Sequence, residues 1–247
     1  MKIGVFDSGI GGLSVVKSLL EHKLFEEIIY FGDTARVPYG SKDKNTIIRY
    51  GIEAVEFFKN FELDLIVVAC NTVSAYALTE MRECATCPVI GVVEAGVLAT
   101  SNSLKSKEKN ILILGTKATI NSQAYEKGLN KLSFSNLTSK ATPLFVPLVE
   151  EEVRGEVLHA TLKHYFHELQ TPDAVILGCT HFPLIARELQ NYFGKDTLLI
   201  HSGDAIVEYL KKQFHLNTKY ANTQMKFFAS ENPDALKSVA QKWLKDA

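Results

Sequence analysis

Two cysteines stand at matching places in two similar segments of the chain. The segments are Asp64-Leu-Ile-Val-Val-Ala-Cys70 and Asp173-Ala-Val-Ile-Leu-Gly-Cys179. Each is an apolar run typical of a buried strand, and each ends on its cysteine. Because ligands of open α/β sheets bind at the carboxyl ends of strands, both thiols are predicted to point into a site. Two equivalent thiols indicate chemistry that needs the same group twice, once on each side of a substrate.

The surroundings of both cysteines favour this interpretation. A helix is expected to begin at Cys70, and a helix N-terminus can lower the pKa of a thiol towards neutrality. The segment after Cys179 repeats the arrangement, with Pro183 suited to a first helical turn. His181 lies two residues from Cys179, close enough to act at the same site. Either cysteine alone would be interpreted as a buried inert thiol, but the pair favours a catalytic role.

A glycine-rich turn, Asp7-Ser8-Gly9-Ile10-Gly11-Gly12, follows the first predicted strand. Glycines allow a sharp turn and a close approach of backbone to a ligand. The spacing departs from the G-x-G-x-x-G pattern of dinucleotide-binding loops. We therefore expect a turn that binds a carboxylate rather than a nucleotide. The alternative is that Asp7 only caps the following helix.

Other reactive side chains carry weaker signals. Cys84 and Cys87 form half of a metal or redox motif, but no second closely spaced pair accompanies them, so we predict no metal site. The histidines at 159, 164 and 167 fit the solvated face of a helix. The glutamates at 150, 151 and 152 are interpreted in part as first-turn acids of a helix. By its position, Glu150 could reach the active cleft.

Short apolar runs alternate with longer helical patterns along most of the chain, which predicts βαβ units and a mainly parallel sheet. The predicted strands are Ile3 to Phe6, Ile28 to Phe31, Leu65 to Ala69, Val89 to Val93, Ile111 to Leu114, Leu144 to Val146, Val175 to Leu177 and Leu198 to Ile200. A further strand is expected from Met225 to Ala229, followed by a helix from Pro233 to Leu244.

The two cysteines lie 109 positions apart, and roughly this offset recurs between other segments. Asp7-Ser8 falls opposite Gly115-Thr116, and Pro38-Tyr39-Gly40 falls opposite Pro147-Leu148-Val149. Such self-similarity indicates a duplicated unit. The polar stretch 101–110 separates the two copies. We predict two pseudo-symmetric α/β domains with the active site in the cleft between them. Residues 1–97 with the returning tail 207–247 form the first, and residues 98–206 the second.

Composition sets the broad class. The 247 residues are 46% hydrophobic and 22% charged, with a net charge of −1 and four cysteines. These values are typical of a globular protein and show no basic footprint for nucleic acid or for a membrane surface. The N-terminal segment lacks the pattern of a signal peptide, and no apolar run reaches the length of a membrane span. We expect a cytoplasmic protein with reduced thiols and a small-molecule partner.

Four motifs together closely resemble the glutamate racemases of the aspartate/glutamate racemase family. They are Asp-Ser-Gly-x-Gly-Gly at 7–12, Val-Pro-Tyr-Gly at 37–40, Ala-Cys-Asn-Thr at 69–72 and Gly-Cys-Thr-His at 178–181. Segments at 91–94, 114–119 and 146–150 also look like family segments, so the resemblance covers nearly the whole chain.

The resemblance implies roles for individual residues. Cys70 and Cys179 would be the catalytic thiols, and Asp7, Glu150 and His181 the auxiliary polar residues that tune the thiols or the substrate ammonium. The substrate site would be lined by Asp7, Ser8, Tyr39, Gly40, Asn71, Thr72, Thr116, Thr180 and His181.

The resemblance further implies racemisation of glutamate without a cofactor, supplying D-glutamate for peptidoglycan. One thiolate would remove the α-proton while the other thiol returns a proton to the opposite face. A homodimer is also expected, with the subunit arrangement left open. The alternatives are an enzyme acting on another small acid, such as aspartate, a hydantoin or maleate, a two-lobed binding protein, or a non-catalytic interaction protein.

Overall fold

The computed structural model describes residues 1–216 and 219–245, and shows two parallel sheets flanked by helices. The tail assigned from the sequence to the first domain includes 217–218 and 246–247, which lie outside the described residues. The strands are β1 Lys2–Asp7, β2 Glu27–Gly32, β3 Leu65–Val68, β4 Val89–Gly91, β5 Ile111–Gly115, β6 Leu137–Ala141, β7 Ala174–Gly178, β8 Leu198–Ile200 and β9 Gln224–Ala229.

Helices connect nearly all of these strands. They are α1 Leu13–His22, α2 Lys44–Phe58, α3 Asn71–Tyr76, α4 Leu78–Cys84, α5 Val92–Ser103, α6 Lys117–Ser122, α7 Ala124–Lys131, α8 Phe145–Glu150, α9 Gly155–Phe166, α10 Ala186–Phe193, α11 Ser202–Phe214 and α12 Pro233–Trp243. Short 3-10 helices cover Thr34–Arg36, Tyr39–Ser41 and Phe182–Ile185. Among the helices of the described ranges, none is both long and apolar enough to cross a membrane.

The strand order shows the duplication directly. The first sheet runs β4-β3-β1-β2-β9, and the second, taken in the same sense, runs β8-β7-β5-β6. Thus β1 and β5 take the same place, as do β3 and β7, whose ends carry the two cysteines. All these neighbours pair in parallel. The predicted fold class, α/β with two pseudo-symmetric parallel sheets, is confirmed.

The central strands are apolar on both faces because helices cover each sheet on both sides. β1, β3, β5 and β7 are almost completely buried. Separate apolar clusters fill the two faces of each sheet. This burial fixes the four strand ends that carry the candidate chemistry.

The last strand of the chain joins the first sheet. Strand β9 pairs in parallel with β2, from Glu27 opposite Gln224 to Gly32 opposite Ala229. Trp243 of α12 packs against the same apolar cluster as β1. Helices α5 and α11 run through the predicted domain boundaries at 97/98 and 206/207, and the boundaries themselves stay a prediction.

Two predicted strands need correction. Leu144 to Val146 is not a strand, because α8 begins at Phe145 and the sixth strand is the earlier segment Leu137–Ala141. The strand predicted from Val89 to Val93 ends at Gly91, where α5 begins. In both places an apolar run that enters a helix was interpreted as a strand, an ambiguity that periodicity alone leaves in short runs.

Candidate active site

A cavity of about 390 Å³ lies between the two sheets, at the carboxyl ends of their strands. From the first sheet and its loops it is lined by Ser8, Tyr39, Gly40, Cys70, Asn71 and Thr72. From the second it is lined by Thr116, Glu150, Cys179, Thr180 and His181. Every residue predicted for the site is therefore brought to this cavity except Asp7, which lies behind its wall.

Cys70 is held at the start of α3, immediately after β3. The thiol is 5% exposed, and its Sγ lies 3.4 Å from the Ser8 hydroxyl. Burial raises the pKa of Cys70 to about 12, and the nearby Asp7 carboxylate adds to the rise. The expected net lowering of this pKa towards neutrality is wrong, although the Val73 N–H in the first turn of α3 does lower it. The cost of burying a thiolate outweighs the dipole of a helix only six residues long.

Asp7 ends β1 and is completely buried. Its Oδ2 accepts a hydrogen bond from the Gly9 N–H at 3.0 Å, and its Oδ1 accepts one from the Thr180 hydroxyl at 3.4 Å. Burial raises the pKa of Asp7, while the positive charge of His181 opposes the rise. Asp7 therefore interacts with groups from both halves of the site, although it does not line the cavity.

Cys179 follows β7 and has different neighbours. It is 6% exposed, and its Sγ lies 3.7 Å from His181 Nδ1. His181 Nε2 lies 2.9 Å from Glu150 Oε1, so the imidazole links the thiol to the carboxylate in one line of three side chains at the cavity wall. Burial by itself lowers the pKa of His181, but its hydrogen bonds to Cys179 and Glu150 outweigh burial and raise the pKa to about 10. The imidazole is therefore cationic at neutral pH.

Glu150 reaches this line from a position that differs from the prediction. It is the last residue of α8, and α9 begins only at Gly155, so Glu150 does not lie in a helical first turn. Pro147 lies inside the same helix, α8, and lines the cavity. The carboxylate is thus positioned by the end of a helix, and its partner is His181 rather than a helix dipole.

The glycine-rich turn brings the two domains into contact. A Cβ on Gly11 would lie 2.3 Å from the Thr180 hydroxyl oxygen and 2.5 Å from His181 Cε1. The Ser14 hydroxyl donates to the Thr180 carbonyl at 2.7 Å. Only glycine fits at position 11, because the turn lies against the loop that carries His181. Ser8 and Gly9, at the start of the turn, face the cavity.

Hydroxyl and amide groups span the two sheets beside the thiols. Thr72 Oγ1 lies 3.0 Å from Thr116 Oγ1 and 3.1 Å from Thr119 Oγ1, and the latter two lie 3.0 Å apart. We call Thr72, Thr116 and Thr119 the threonine triangle. Thr119 was not predicted for the site, since it is recognisable only by these contacts.

Asn71 has a positioning role in this geometry. Its Oδ1 accepts a hydrogen bond from the Tyr125 hydroxyl at 2.6 Å, and its Nδ2 donates to the Ser202 hydroxyl at 3.4 Å. Both partners belong to the second half of the chain. The side-chain amide therefore fixes the first turn of α3, next to Cys70, against the second domain.

The loop that carries Tyr39 is anchored by an acid that sequence reasoning missed. The Tyr39 hydroxyl donates to Asp33 Oδ2, which also accepts from Arg36 Nε at 2.6 Å. Asp33 is completely buried, and its Oδ1 has no hydrogen-bond partner among the described residues. Since the Tyr39 hydroxyl is engaged by Asp33, the loop offers the cavity its backbone and the Tyr39 ring. The available signal was the position of Asp33 directly after β2, matching that of Asp7 at the end of β1.

Other lining residues were also missed. The cavity is also lined by the apolar side chains of Val37, Pro38, Pro143, Val146 and Pro147, and by a second basic side chain besides His181, that of Lys117. All but Pro143 lie in segments that carry the family resemblance, but their side chains by themselves indicate no particular chemistry. Their common feature is a place in loops or first turns just beyond strand ends.

The remaining reactive side chains lie elsewhere. Cys84 and Cys87 are half-buried free thiols packed beside the core of the first domain, and neither lines the cavity. In the described part of the chain, no cluster of three or more His, Cys, Asp or Glu side chains is arranged to hold a metal ion. His159, His164 and His167 are exposed on and just after α9.

Comparisons with known proteins identify the family of the chain. The family model of Asp/Glu/Hydantoin racemase matches residues 12–210. A glutamate racemase of a Nitratiruptor species is 59% identical, covering 100% of this chain and 98% of the relative. The crystal structure of glutamate racemase from Campylobacter jejuni has 53% identity and a TM-score of 0.98, covering 100% of this chain and 99% of that one.

A glutamate racemase from Francisella tularensis, solved in complex with D-glutamate, has 35% identity and a TM-score of 0.85. The two chains are covered at 99% and 93%. The family match covers most of the chain, and full-length relatives lie well above 30% identity. The chain belongs to the Asp/Glu/hydantoin racemase family.

Proposed function

We propose that this protein interconverts L-glutamate and D-glutamate by a two-base mechanism. One observation carries the proposal: two buried thiols, Cys70 and Cys179, line a single cavity from equivalent strand ends of two pseudo-symmetric sheets. A racemase must remove a proton from one face of the α-carbon and return one to the other face. Two thiols on opposite walls supply both groups without requiring the proton to cross the substrate.

The two thiols work in alternate protonation states. In the direction from L to D, the Cys179 thiolate removes the α-proton and the Cys70 thiol gives its proton to the opposite face. In the reverse direction Cys70 acts on D-glutamate and Cys179 returns the proton. This assignment of enantiomers follows the family resemblance. The two thiols must be in opposite protonation states in each direction, since one removes a proton while the other gives one.

The auxiliary residues Asp7, Glu150 and His181 act on the charge of the two thiols. Cationic His181, paired with Glu150, stabilises negative charge on Cys179 Sγ. Asp7 favours the protonated form of Cys70. The two thiols therefore have different electrostatic surroundings, with a cation beside Cys179 and a carboxylate near Cys70.

The polar wall of the cavity suits an acidic amino acid. We assign Ser8, Tyr39, Gly40, Asn71, Thr72, Thr116 and Thr180 to binding of the substrate, through hydroxyls and backbone N–H groups that hold its carboxylates. The same donors stabilise the negative charge that develops as the α-proton leaves. Glutamate as the substrate is supported by the full-length relatives and by the F. tularensis complex with D-glutamate.

The wider role follows from the same relatives. We propose that the protein works in the cytoplasm, supplies D-glutamate for peptidoglycan, needs no cofactor and forms a homodimer. Its domains are assigned to residues 1–97 with 207–247, and to residues 98–206. Light scattering at micromolar concentration tests the dimer, since a monomer mass would contradict it.

The deciding experiment follows optical rotation after the purified protein is mixed with L-glutamate or with D-glutamate. We expect both solutions to approach zero rotation. The same assay after treatment with a chelator and a carbonyl reagent tests independence from metals and pyridoxal phosphate, and abolished activity would contradict it. Racemisation of aspartate but not glutamate would favour the alternative substrate class.

A further inference from the structure

Lys117 is a cationic side chain at the cavity whose charge the fold leaves uncompensated. It lines the cavity and is exposed. Within residues 1–216 and 219–245 it takes part in no ion pair and no side-chain hydrogen bond. The other charged residues that line the cavity, Glu150 and His181, are paired with each other at 2.9 Å. The positive charge of Lys117 is thus available to a ligand.

The backbone around Lys117 places this charge at the edge where the two domains meet. Lys117 is the first residue of α6, and the preceding Thr116 caps the helix by accepting the Thr119 N–H at 3.2 Å. Thr116 in turn lies against the opposite loop, where a Cβ on Gly40 would lie 2.6 Å from the Thr116 Cβ. The ammonium group is therefore carried by a fixed turn beside the contact between the two cavity walls.

The pseudo-symmetry makes this position distinctive. The residues that follow β1, Ser8 and Gly9, correspond to Thr116 and Lys117 after β5. Where the first domain has a glycine that lines the cavity, the second has a lysine. The cation therefore comes from one wall only, and the duplication of the fold does not explain it.

The charge balance of the reaction gives this cation a use. The substrate of the proposed function carries two carboxylates and one ammonium group. It enters a cavity that must hold a thiolate beside the carboxylates of Glu150 and the nearby Asp7. His181 balances the charge of Glu150, but the thiolate and Asp7 leave negative charge at the cleft, which repels such a substrate unless a further positive charge offsets it.

We propose that Lys117 is a substrate-recruiting residue that attracts the dicarboxylate into the cleft. This inference rests on the proposed function. An exposed charge at the rim of a binding site acts mainly on association and on its salt dependence, and little on the chemical step. Lys117 therefore sets KM and the preference for a doubly carboxylated amino acid, while the thiols set kcat.

The test compares Lys117→Met and Lys117→Arg with Lys131→Met, a matched change of an exposed lysine in the last turn of α7. Racemisation of both enantiomers is measured at about 0.01 M and 0.3 M potassium chloride, between which screening of exposed charges changes strongly. For Lys117→Met we expect KM to rise about 10-fold at low salt with kcat within about 2-fold, and the salt dependence of kcat/KM to flatten. Lys117→Arg and Lys131→Met should keep the wild-type KM and salt dependence.

The outcomes are separable from those of the proposed function. If the wild-type protein does not racemise glutamate, the proposed function fails. If it does, and Lys117→Met keeps the wild-type KM and salt dependence, Lys117 does not recruit substrate. A loss of kcat with unchanged KM would also overturn the inference. Circular dichroism of each variant shows that the fold is retained.

Discussion

The two halves of the molecule share a backbone plan but surround their thiols differently. Cys70 lies beside a hydroxyl, with the buried Asp7 carboxylate behind it, whereas Cys179 lies beside a cationic imidazole backed by Glu150. The first environment disfavours a thiolate, and the second places a positive charge beside the thiol. Duplication thus placed two like groups around one cavity, and the neighbouring side chains give the two groups different electrostatic surroundings.

Removing either thiol is the strongest way to challenge this comparison. We expect Cys70→Ser and Cys179→Ser each to reduce racemisation by about three orders of magnitude or more, because each direction needs both a base and an acid. Elimination from a β-substituted glutamate needs only the base on one face. It should therefore survive in both variants, with opposite preference for the D and L isomers.

The readout of this experiment is keto-acid formation from each isomer. By the family assignment, Cys179→Ser keeps elimination from the D isomer and Cys70→Ser from the L isomer. Equal use of one isomer by both variants would contradict the two-face mechanism. Cys84→Ser and Cys87→Ser are the controls, since neither thiol lines the cavity, and their turnover should stay within a few-fold of wild type.

Replacing Asp7 or His181 tests whether the different surroundings of the two thiols matter for catalysis. We expect Asp7→Asn and His181→Asn each to slow racemisation by about 100-fold, the typical scale for a group that assists proton transfer. Because the two enantiomers have equal free energy, kcat/KM must fall equally in both directions. The elimination assay separates the two changes: Asp7→Asn should affect the D isomer more and His181→Asn the L isomer. The same isomer preference in both variants would show that the two groups do not serve different thiols.

The rates at which the two thiols are alkylated test the difference between their surroundings. In a Cys84→Ser/Cys87→Ser background, iodoacetamide should label Cys179 at least about 10-fold faster than Cys70 at pH 7, because the thiolate is the reactive form. Labelling of Cys70 should then increase continuously to pH 10, since its pKa is about 12. Mass spectrometry of the two peptides gives both rates. Faster labelling of Cys70 at pH 7 would reverse the assignment.

The smallest expected effect concerns stability. The pKa of His181 is raised from 6.5 to about 10 in the folded protein, so its pairing stabilises the fold fully below pH 6.5 and loses this contribution as pH rises through 10. We expect Glu150→Gln to lower the free energy of unfolding by about 1 to 2 kcal/mol at pH 6, and by less at pH 10. Urea titrations at both pH values measure this difference. A loss that is equal at both values would mean that the ion pair does not stabilise the fold.

The sequence predicted those parts of the fold that have a continuous apolar pattern. Strands β1, β3, β5 and β7 are buried on both faces, so their side chains are apolar at nearly every position. Strand β6, Leu-Thr-Ser-Lys-Ala, lies at an edge of its sheet and is half-exposed, so no such pattern marks it. The internal repeat was the better guide: residues 27–32 moved by 109 positions give 136–141, the true place of β6.

The candidate site was predictable only where residues lie next to motifs along the chain. Cys70, Cys179 and their neighbours follow strand ends and share local patterns. Thr119 and Lys117 are recognisable only in the folded chain, because Thr119 contacts Thr72 from a distant segment and Lys117 lines the cavity. The raised pKa of Cys70 was missed for a similar reason, since it depends on burial and on Asp7, 63 positions earlier.

The threonine triangle has a consequence for how the cleft opens. Three hydroxyls have three protons, and when each donates to the next around the ring, no O–H remains for an incoming carboxylate. A substrate carboxylate that takes one of these protons replaces a bond within the ring. Thr72 bonds across to Thr116 and Thr119, so two of the three bonds join the domains. Substrate binding and contact between the domains thus compete for the same protons. A cleft that holds substrate therefore keeps fewer hydrogen bonds between its two walls and opens more easily.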